Sequence, residues 1–142
     1  MLKAKTLMPN LMVESIEETV RFYTDTLQFS IRMLVTAEQG VHETLQADAN
    51  YVYAQLVCGS AELMIQRRDS LLEDMPFMGD VAIGCSASFY IQVEDIQAFY
   101  QAYKGQVAFA KDLHTTWYGM QEFYLRDNNG YVLCFGEPAA QT

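Results

Sequence analysis

The sequence predicts an α+β fold made of two tandem modules, each with one strand, one helix and three further strands. Two observations predict it: an internal repeat, and the hydrophobic pattern within each copy. The segment Val13–Ile16 returns eighty residues later as Val93–Ile96, and each copy runs from an alternating apolar stretch into a helical pattern. A sheet covered by one helix has a second face without a partner, so two such sheets would enclose a cleft.

Composition describes a single globular domain over residues 1–142. Hydrophobic residues make up 51% and charged residues 19% of the chain, and no apolar run approaches the roughly 20 residues of a membrane span. A net charge of −9 disfavours nucleic acids and membranes as partners and favours a cationic ligand. Three widely spaced cysteines, Cys58, Cys85 and Cys134, predict reduced thiols, and without a secretion signal they predict a cytoplasmic protein.

Each module has one helix with a recognisable start. The first helix follows Ser15, an N-cap residue with Glu18 three positions later, as in a capping box. The second follows Asp95 and is expected to stop at Gly105. One apolar face marks each helix, formed by Ile16, Val20, Tyr23 and Leu27 in the first and by Ile96, Phe99, Tyr100 and Tyr103 in the second.

Strand-like segments follow each helix. The first module covers about residues 5–68, the second about 85–137, and a stretch with Pro76 and two glycines, about 69–84, is predicted to be the linker. A polar loop is expected at 39–50, and Asn129-Gly130 signals a hairpin. The predicted strands after the helices are 29–35, 51–57 and 62–66 in the first module and 106–110, 121–126 and 131–135 in the second.

Several short motifs accompany the repeat. Phe22-Tyr23, Asp25 and Leu27 follow the first strand, and residues 117–123 (WYGMQEF) precede the turn 127–130 (DNNG). With these motifs the chain resembles the vicinal oxygen chelate superfamily of glyoxalases, bleomycin-resistance proteins and extradiol dioxygenases, most closely the bleomycin-resistance branch. Asn128 stands where that branch usually has proline. The resemblance covers residues 5–137 and implies βαβββ modules, curved mixed sheets around a cleft, and a homodimer.

Metalloenzymes of this superfamily hold a divalent metal with His, Glu or Gln on the first and last strands of each module. The resemblance places those positions at Met8, Met64, Ser88 and Cys134. Hard and borderline metals prefer imidazole and carboxylate ligands, so we expect no metal and no other cofactor.

Two alternatives for metal ligands stay open at this stage. A register shifted by two residues keeps the same strand face and would substitute Glu62 or Gln66 for Met64, without adding a histidine. His42 and His114 are expected in or beside loops, and whether either reaches the cleft is undecided.

If Met8, Met64, Ser88 and Cys134 face the predicted cleft, the alternation of side chains along each strand determines which other residues face it too. Most aliphatic residues then lie under the helices, while polar, aromatic and methionine residues line the cleft. The predicted ligand-binding residues are Asn10, Met12, Tyr53, Glu62, Met64, Ser88, Tyr90, Trp117, Glu122, Tyr124, Arg126 and Cys134.

This lining suits an organic molecule of medium size. Glu62 and Glu122 would hold a cationic group, whereas Arg126 would neutralise a carboxylate or pair with Glu122, and Trp117 would bind ligand or seal a subunit interface. We expect a metal-free binding protein that holds a bulky aromatic or cationic ligand in a dimeric cleft, with no catalytic residue. The alternatives are a metal-dependent lyase, isomerase or dioxygenase of the same superfamily, and a regulatory partner protein with a vestigial cleft.

Overall fold

A computed structural model describes residues 1–84 and 86–140 of the chain, so Cys85 and its predicted thiol lie outside the described residues. Cys58 and Cys134 are free thiols. The chain divides into two compact units, Met1–Val81 and Ala82–Thr142, and each contains one mixed sheet. The predicted α+β class, with helices packed on mixed sheets, is confirmed.

The first unit has a five-stranded sheet. Its elements are β1 (Asn10–Val13), α1 (Ile16–Arg21), β2 (Ser30–Thr36), β3 (Val41–His42), β4 (Tyr51–Cys58), β5 (Ala61–Arg67) and α2 (Arg68–Asp74). The strand order is β1-β5-β4-β2-β3, in which only the β1–β5 pairing is parallel. A π-helical turn at Phe22–Thr26 extends α1, and a 3-10 helix at Pro76–Met78 follows α2.

The start and the buried face of α1 agree with the sequence prediction. The Ser15 hydroxyl oxygen accepts a hydrogen bond from the Glu18 backbone N–H at 3.2 Å, which satisfies one of the donors left free at a helix start. The predicted apolar face packs against the sheet, and none of its members is more than 1% exposed: Ile16, Val20, Tyr23 and Leu27.

The second unit has a four-stranded sheet. Its elements are β6 (Ser88–Gln92), α3 (Ile96–Tyr103), β7 (Phe109–Thr115), β8 (Met120–Arg126) and β9 (Val132–Pro138), in the strand order β6-β9-β8-β7. Asp95 caps α3 by accepting from the Ala98 backbone N–H at 3.2 Å. Tyr103 packs its ring on Phe123 and Phe135, with centroids 6.1 and 5.4 Å away. This aromatic core occupies one face of the sheet. Among the described residues of this unit no helix packs on the opposite face, which is called the open face below.

The strand registers confirm the internal repeat. In the first unit Asn10 is the Cα partner of Met64 across the parallel β1–β5 pair. In the second unit Tyr90 is the partner of Cys134 across the parallel β6–β9 pair. Asn10 and Tyr90 are eighty residues apart and Met64 and Cys134 are seventy apart, the same offsets that the sequence repeat predicts.

The structure adds one helix to the predicted elements and corrects one strand. The stretch 69–84, predicted to be the linker, includes most of α2, whose Leu71 is 1% exposed, and the 3-10 helix. The strand expected at 106–110 lies instead at Phe109–Thr115. It is an edge strand whose Lys111 and Asp112 are both exposed, so it lacks the apolar alternation of a half-buried strand.

Two smaller points concern the polar loop and the membrane. The loop predicted at 39–50 contains β3, a two-residue strand that pairs with Leu34 and Val35. No helix in the described part of the chain is long and apolar enough to cross a membrane.

Candidate functional site

Two rows of side chains cross the open face of the second sheet. Cα partners place Tyr90, Cys134, Tyr124 and Lys111 in one row, which runs across β6, β9, β8 and β7. The next row contains Gln92, Gly136, Glu122 and His114. An irregularity in β7 lets Lys111 and His114, three residues apart, lie opposite two residues of β8 that are only two apart.

Glu122 is the centre of this arrangement. It is 0% exposed, and three tyrosine hydroxyls donate hydrogen bonds to its carboxylate. Tyr90 donates to Oε2 at 2.8 Å, Tyr118 lies 2.9 Å from both oxygens, and Tyr124 lies 3.4 Å from Oε1. A buried carboxylate needs such donors, because burying it without partners costs several kcal/mol, on the order of 3–5.

A glycine makes the Tyr90 contact sterically possible. Gly136 lies on β9, between the strand of Tyr90 and the strand of Glu122. A Cβ atom at Gly136 would be 2.1 Å from the Tyr90 hydroxyl oxygen and 2.7 Å from its Cζ atom. Tyr90 therefore reaches Glu122 by crossing the one position in this row that has no side chain.

The cluster shifts the protonation equilibria of its members. Burial first, and then the hydrogen bond to Glu122, raise the pKa of Tyr90 above its usual range. The hydrogen bond to Glu122 is the main cause of the raised pKa of Tyr118. A side-chain hydrogen bond to Cys134 and burial raise the pKa of Tyr124 to about 12, and burial raises the pKa of the Cys134 thiol to about 11. All four side chains thus keep their protons at neutral pH.

A pocket of about 380 Å³ opens beside the cluster. It lies at the end of the β7–β8 hairpin, where Trp117 is 95% exposed and Tyr118 is 51% exposed. The His114 and Tyr124 rings are stacked at 12°, with centroids 6.3 Å apart. The lining residues are Lys111, His114, Thr115, Thr116, Trp117, Tyr118, Glu122 and Tyr124.

The predicted ligand-binding residues of the second unit occupy this face and its surroundings. Tyr90, Glu122, Tyr124 and Cys134 come together, and Trp117 stands at the pocket with Tyr118, which meets its ring edge-on. Ser88 and Arg126 lie in the neighbouring row, both paired with Val132 of β9, and both are exposed. The alternative ion pair between Glu122 and Arg126 is wrong, because tyrosine hydroxyls occupy the carboxylate.

Polar predicted residues of the first unit have partners within that unit. The Asn10 amide donates to Gln66 at 2.9 Å, and Gln66 donates to Ser70 and Asp74 of α2 at 3.0 and 2.9 Å. Asn10 Oδ1 is buried and is without a hydrogen-bond partner among the described residues.

The other predicted residues of the first unit vary in burial. Tyr53 accepts from Gln55 at 2.9 Å, and Glu62 is paired with Arg32, so its carboxylate already has a cation. Met12 is 4% exposed and Met64 is half-buried.

The two histidines have different surroundings, and each lies at the end of a strand next to a loop, as one of the two expected placements has it. His42, in β3, has its Nδ1 atom 2.7 Å from the hydroxyl of Tyr51, which is fully buried. His114 lies within β7 and lines the pocket. Sequence reasoning did not select His114 or Lys111 as lining residues because it placed their strand too early. A glycine inside a strand, Gly136, is the feature of the sequence that could have indicated that the Tyr90 side chain crosses β9.

The four family positions do not fit a divalent metal. Two are thioethers and one is a serine hydroxyl, and the fourth is a buried thiol whose pKa is raised to about 11. Thioethers and a hydroxyl are poor ligands for the divalent metals that prefer imidazole and carboxylate. Within the described residues, no group of three or more His, Cys, Asp or Glu side chains is arranged to hold a metal ion.

Comparisons with known proteins concern the whole chain. A family model described as the Glyoxalase/Bleomycin resistance protein/Dioxygenase superfamily matches residues 5–135. The chain matches no curated protein in sequence.

Similar solved structures share the fold at low sequence identity. TioX from Micromonospora sp. ML1 has a TM-score of 0.68 at 13% identity, over 95% of this chain and 99% of that chain. A protein of unknown function from Agrobacterium tumefaciens str. C58 has a TM-score of 0.70 at 20% identity, over 96% of both chains. The bleomycin-binding protein of Streptomyces verticillus, solved with copper(II)-bleomycin, has a TM-score of 0.60 at 21% identity, over 99% of this chain and 100% of that chain.

Proposed function

Because the chain belongs to the Glyoxalase/Bleomycin resistance protein/Dioxygenase superfamily, we propose that it is a metal-free binding protein for a bulky aromatic or cationic small molecule. The observation that carries this proposal is the pocket of about 380 Å³ beside the buried carboxylate of Glu122. Ligand pockets span about 300–1,000 Å³, so this one accepts a ring system or one part of a larger molecule. Trp117, Tyr118 and Tyr124 supply aromatic surface, and Glu122 supplies negative charge.

The function requires no bond to be made or broken. The protein holds the ligand by mass action and keeps it from other targets, which is how an antibiotic-sequestering protein gives resistance. The Streptomyces verticillus neighbour was solved with a bulky antibiotic, and we extend only that general ligand class to this chain.

The binding form in this proposal is a homodimer. On the open face of the second sheet, Ser88, Tyr90 and Gln92 of the edge strand β6 are all exposed. An exposed face with large aromatic side chains is typical of an interaction surface. Light scattering on a sizing column measures the mass directly, and a monomer at all concentrations contradicts this part of the proposal.

Trp117 allows a site-specific binding test, because it is the only tryptophan in the chain. Titration with N-methylquinolinium, a planar aromatic cation, should quench its emission saturably and raise the melting temperature. Collisional quenching gives no saturation and no thermal shift, so the two readouts together separate binding from collision. A probe present at a hundred times its dissociation constant adds about 2.7 kcal/mol to the free energy of unfolding.

Matched probes complete this test. Neutral quinoline has nearly the same shape without the charge, and 2-naphthoate carries the opposite charge. Saturable binding of any of the three supports a small-molecule site, and preference for the cation supports a role for Glu122. Linear quenching with no thermal shift for all three would overturn the proposed function.

The competing function is a metal-dependent enzyme of the same superfamily. The donor set at Met8, Met64, Ser88 and Cys134 argues against it, since thioethers suit soft metals and not the metals these enzymes use. Dialysis against nickel, zinc, manganese and ferrous iron, followed by desalting, should leave far less than one metal ion per chain. Metal near one equivalent would favour the enzyme instead.

A further inference from the structure

The hydrogen-bonding state of Glu122 restricts what kind of cation the pocket accepts. A carboxylate offers about four acceptor positions. Three hydroxyls donate one proton each, so they fill at most three of these positions through contacts of 2.8 to 3.4 Å, and the two contacts of Tyr118 share one proton. The three N–H donors of a primary ammonium would therefore find at most one free acceptor position on Glu122. Glu122 is also 0% exposed, so a ligand in the pocket reaches its charge only across the tyrosines.

The Glu122 carboxylate has no ion-pair partner among the residues that the structure describes. The ion pairs found among the described residues are Arg32–Glu62, Arg67–Asp69 and Arg68–Glu14, all in the first unit. Lys111 lines the same pocket, but its side chain is exposed. Buried charges in proteins are usually paired, so a ligand cation in the pocket would be attracted to this carboxylate.

The pocket wall offers aromatic faces to such a cation. Four of its eight lining residues carry rings: His114, Trp117, Tyr118 and Tyr124. The face of an aromatic ring attracts a cation through the cation–π interaction and does not need an N–H donor from it. Quaternary ammonium groups are the ligands for which proteins typically use this interaction.

Resting on the proposed binding function, we infer that the cationic group this pocket recognises is a fully alkylated ammonium. A primary ammonium has three N–H donors and loses their hydration on entering the pocket, where the Glu122 oxygens already have donors. An alkylated ammonium has no N–H group to satisfy. It keeps the attraction to Glu122 and gains contact with the rings.

The test compares benzyltrimethylammonium with protonated benzylamine and neutral benzyl alcohol, by calorimetry and Trp117 emission. Benzyltrimethylammonium should bind about tenfold more tightly than the other two. Cation–π contacts supply the difference from neutral benzyl alcohol, and the lost hydration of three N–H donors supplies the difference from benzylammonium. Equal or tighter binding of benzylammonium would overturn the inference.

Two variants test the cause of this selectivity. Glu122→Gln should weaken benzyltrimethylammonium binding severalfold more than benzyl alcohol binding. Tyr118→Phe frees acceptor positions on Glu122, so it should strengthen benzylammonium binding and narrow the gap. The matched control is Tyr100→Phe, which removes a 2.8 Å hydroxyl–carboxylate bond to Asp112 away from the pocket lining and should leave all three affinities unchanged. If the difference in affinity between benzyltrimethylammonium and benzylammonium is the same in Tyr118→Phe as in the unsubstituted protein, the inference is contradicted.

Failure of the inference differs from failure of the proposed function. Saturable quinolinium binding combined with a preference for benzylammonium keeps the binding function and refutes the alkylated-cation specificity. Absence of saturable binding for every probe, including quinoline and 2-naphthoate, refutes both.

Discussion

Substitution of Gly136 by alanine tests the geometry on which the Glu122 cluster depends. The added Cβ would lie 2.1 Å from the Tyr90 hydroxyl oxygen, so the ring must swing away and its 2.8 Å bond to Glu122 must break. A hydrogen bond to a charged group contributes about 1.5–3 kcal/mol. Tyr90 is 51% exposed, so water replaces part of the bond and the lower end of that range applies.

A second effect acts in the opposite direction. Alanine in place of glycine restricts the unfolded chain and stabilises the protein by about 0.4–1 kcal/mol. The net expectation for Gly136→Ala is a loss of about 0.5–1 kcal/mol in the free energy of unfolding, or roughly 2–4 °C in Tm for a chain of this size. Urea unfolding measures this loss directly.

A double-mutant cycle with Tyr90→Phe identifies the cause. If both substitutions break the same bond, the double variant should lose no more than the larger single loss, with a coupling energy of about 1 kcal/mol. The control is Gly79→Ala, because Gly79 has a φ of −57° and its added Cβ would meet only Pro76 O, at an ordinary 3.5 Å. It should change stability by less than about 0.5 kcal/mol. Additive losses, or no loss in Gly136→Ala, would refute the reasoning.

Three further predictions concern the tyrosines, α2 and the thiol. Tyr118 and Tyr124 have folded-state pKa values raised above 10.0, so above that pH the folded protein binds more protons than the unfolded chain. Its free energy of unfolding should therefore fall from pH 10 towards 12. In urea titrations at several pH values, Glu122→Gln should make this fall smaller. Leu71→Ala should lower the free energy of unfolding by about 2–4 kcal/mol, because Leu71 is 1% exposed. The control Phe77→Ala removes a side chain that is 82% exposed and should cost less than about 0.5 kcal/mol. Equal losses in the two variants would contradict the burial of Leu71. Cys134 is 3% exposed with a pKa of about 11, so iodoacetamide should label it only after unfolding, and rapid labelling of the native protein, read by peptide mass spectrometry, would contradict its burial.

The fold was largely predictable because its signals are local. The caps at Ser15 and Asp95 depend on side chains a few residues from the backbone groups that they bind. The offsets of the repeat needed only the sequence, and the registers reproduce them. Strand β7 was misplaced because an edge strand has little buried surface and therefore no strong alternation. Helix α2 was missed because Leu71 is its only fully buried residue, too few for a helical period.

The site was predictable only in part, because its geometry depends on pairing across strands. Alternation along β8 placed Glu122 and Tyr124 on one face without using the structure. The hydrogen bond from Tyr90 to Glu122 crosses the intervening strand β9. The spacing of these two residues along the sequence does not predict such a contact. The sequence also predicted that Glu62 would hold a cationic group of the ligand, but Arg32, thirty residues away, already pairs with that carboxylate.

The two units show how one strand arrangement yields two different surfaces. Gly136 of the second unit corresponds to Gln66 of the first, by the offset of seventy, and the β-sheet partners of these two residues are Glu122 and Tyr53. The long Tyr90 side chain requires glycine at its crossing point.

In the first unit, the residue that corresponds to Tyr90 is Asn10, which is short enough to stop at Gln66 and bond to it at 2.9 Å. Gln66 then bonds to Ser70 and Asp74 and so ties the strand to α2. A long side chain paired with glycine therefore produces a buried carboxylate cluster, whereas a short one paired with glutamine produces a structural amide network. The side chain opposite the crossing point differs as well: it is Glu122 beside Gly136 in the second unit and Tyr53 beside Gln66 in the first, so a carboxylate is present at this position only in the second unit.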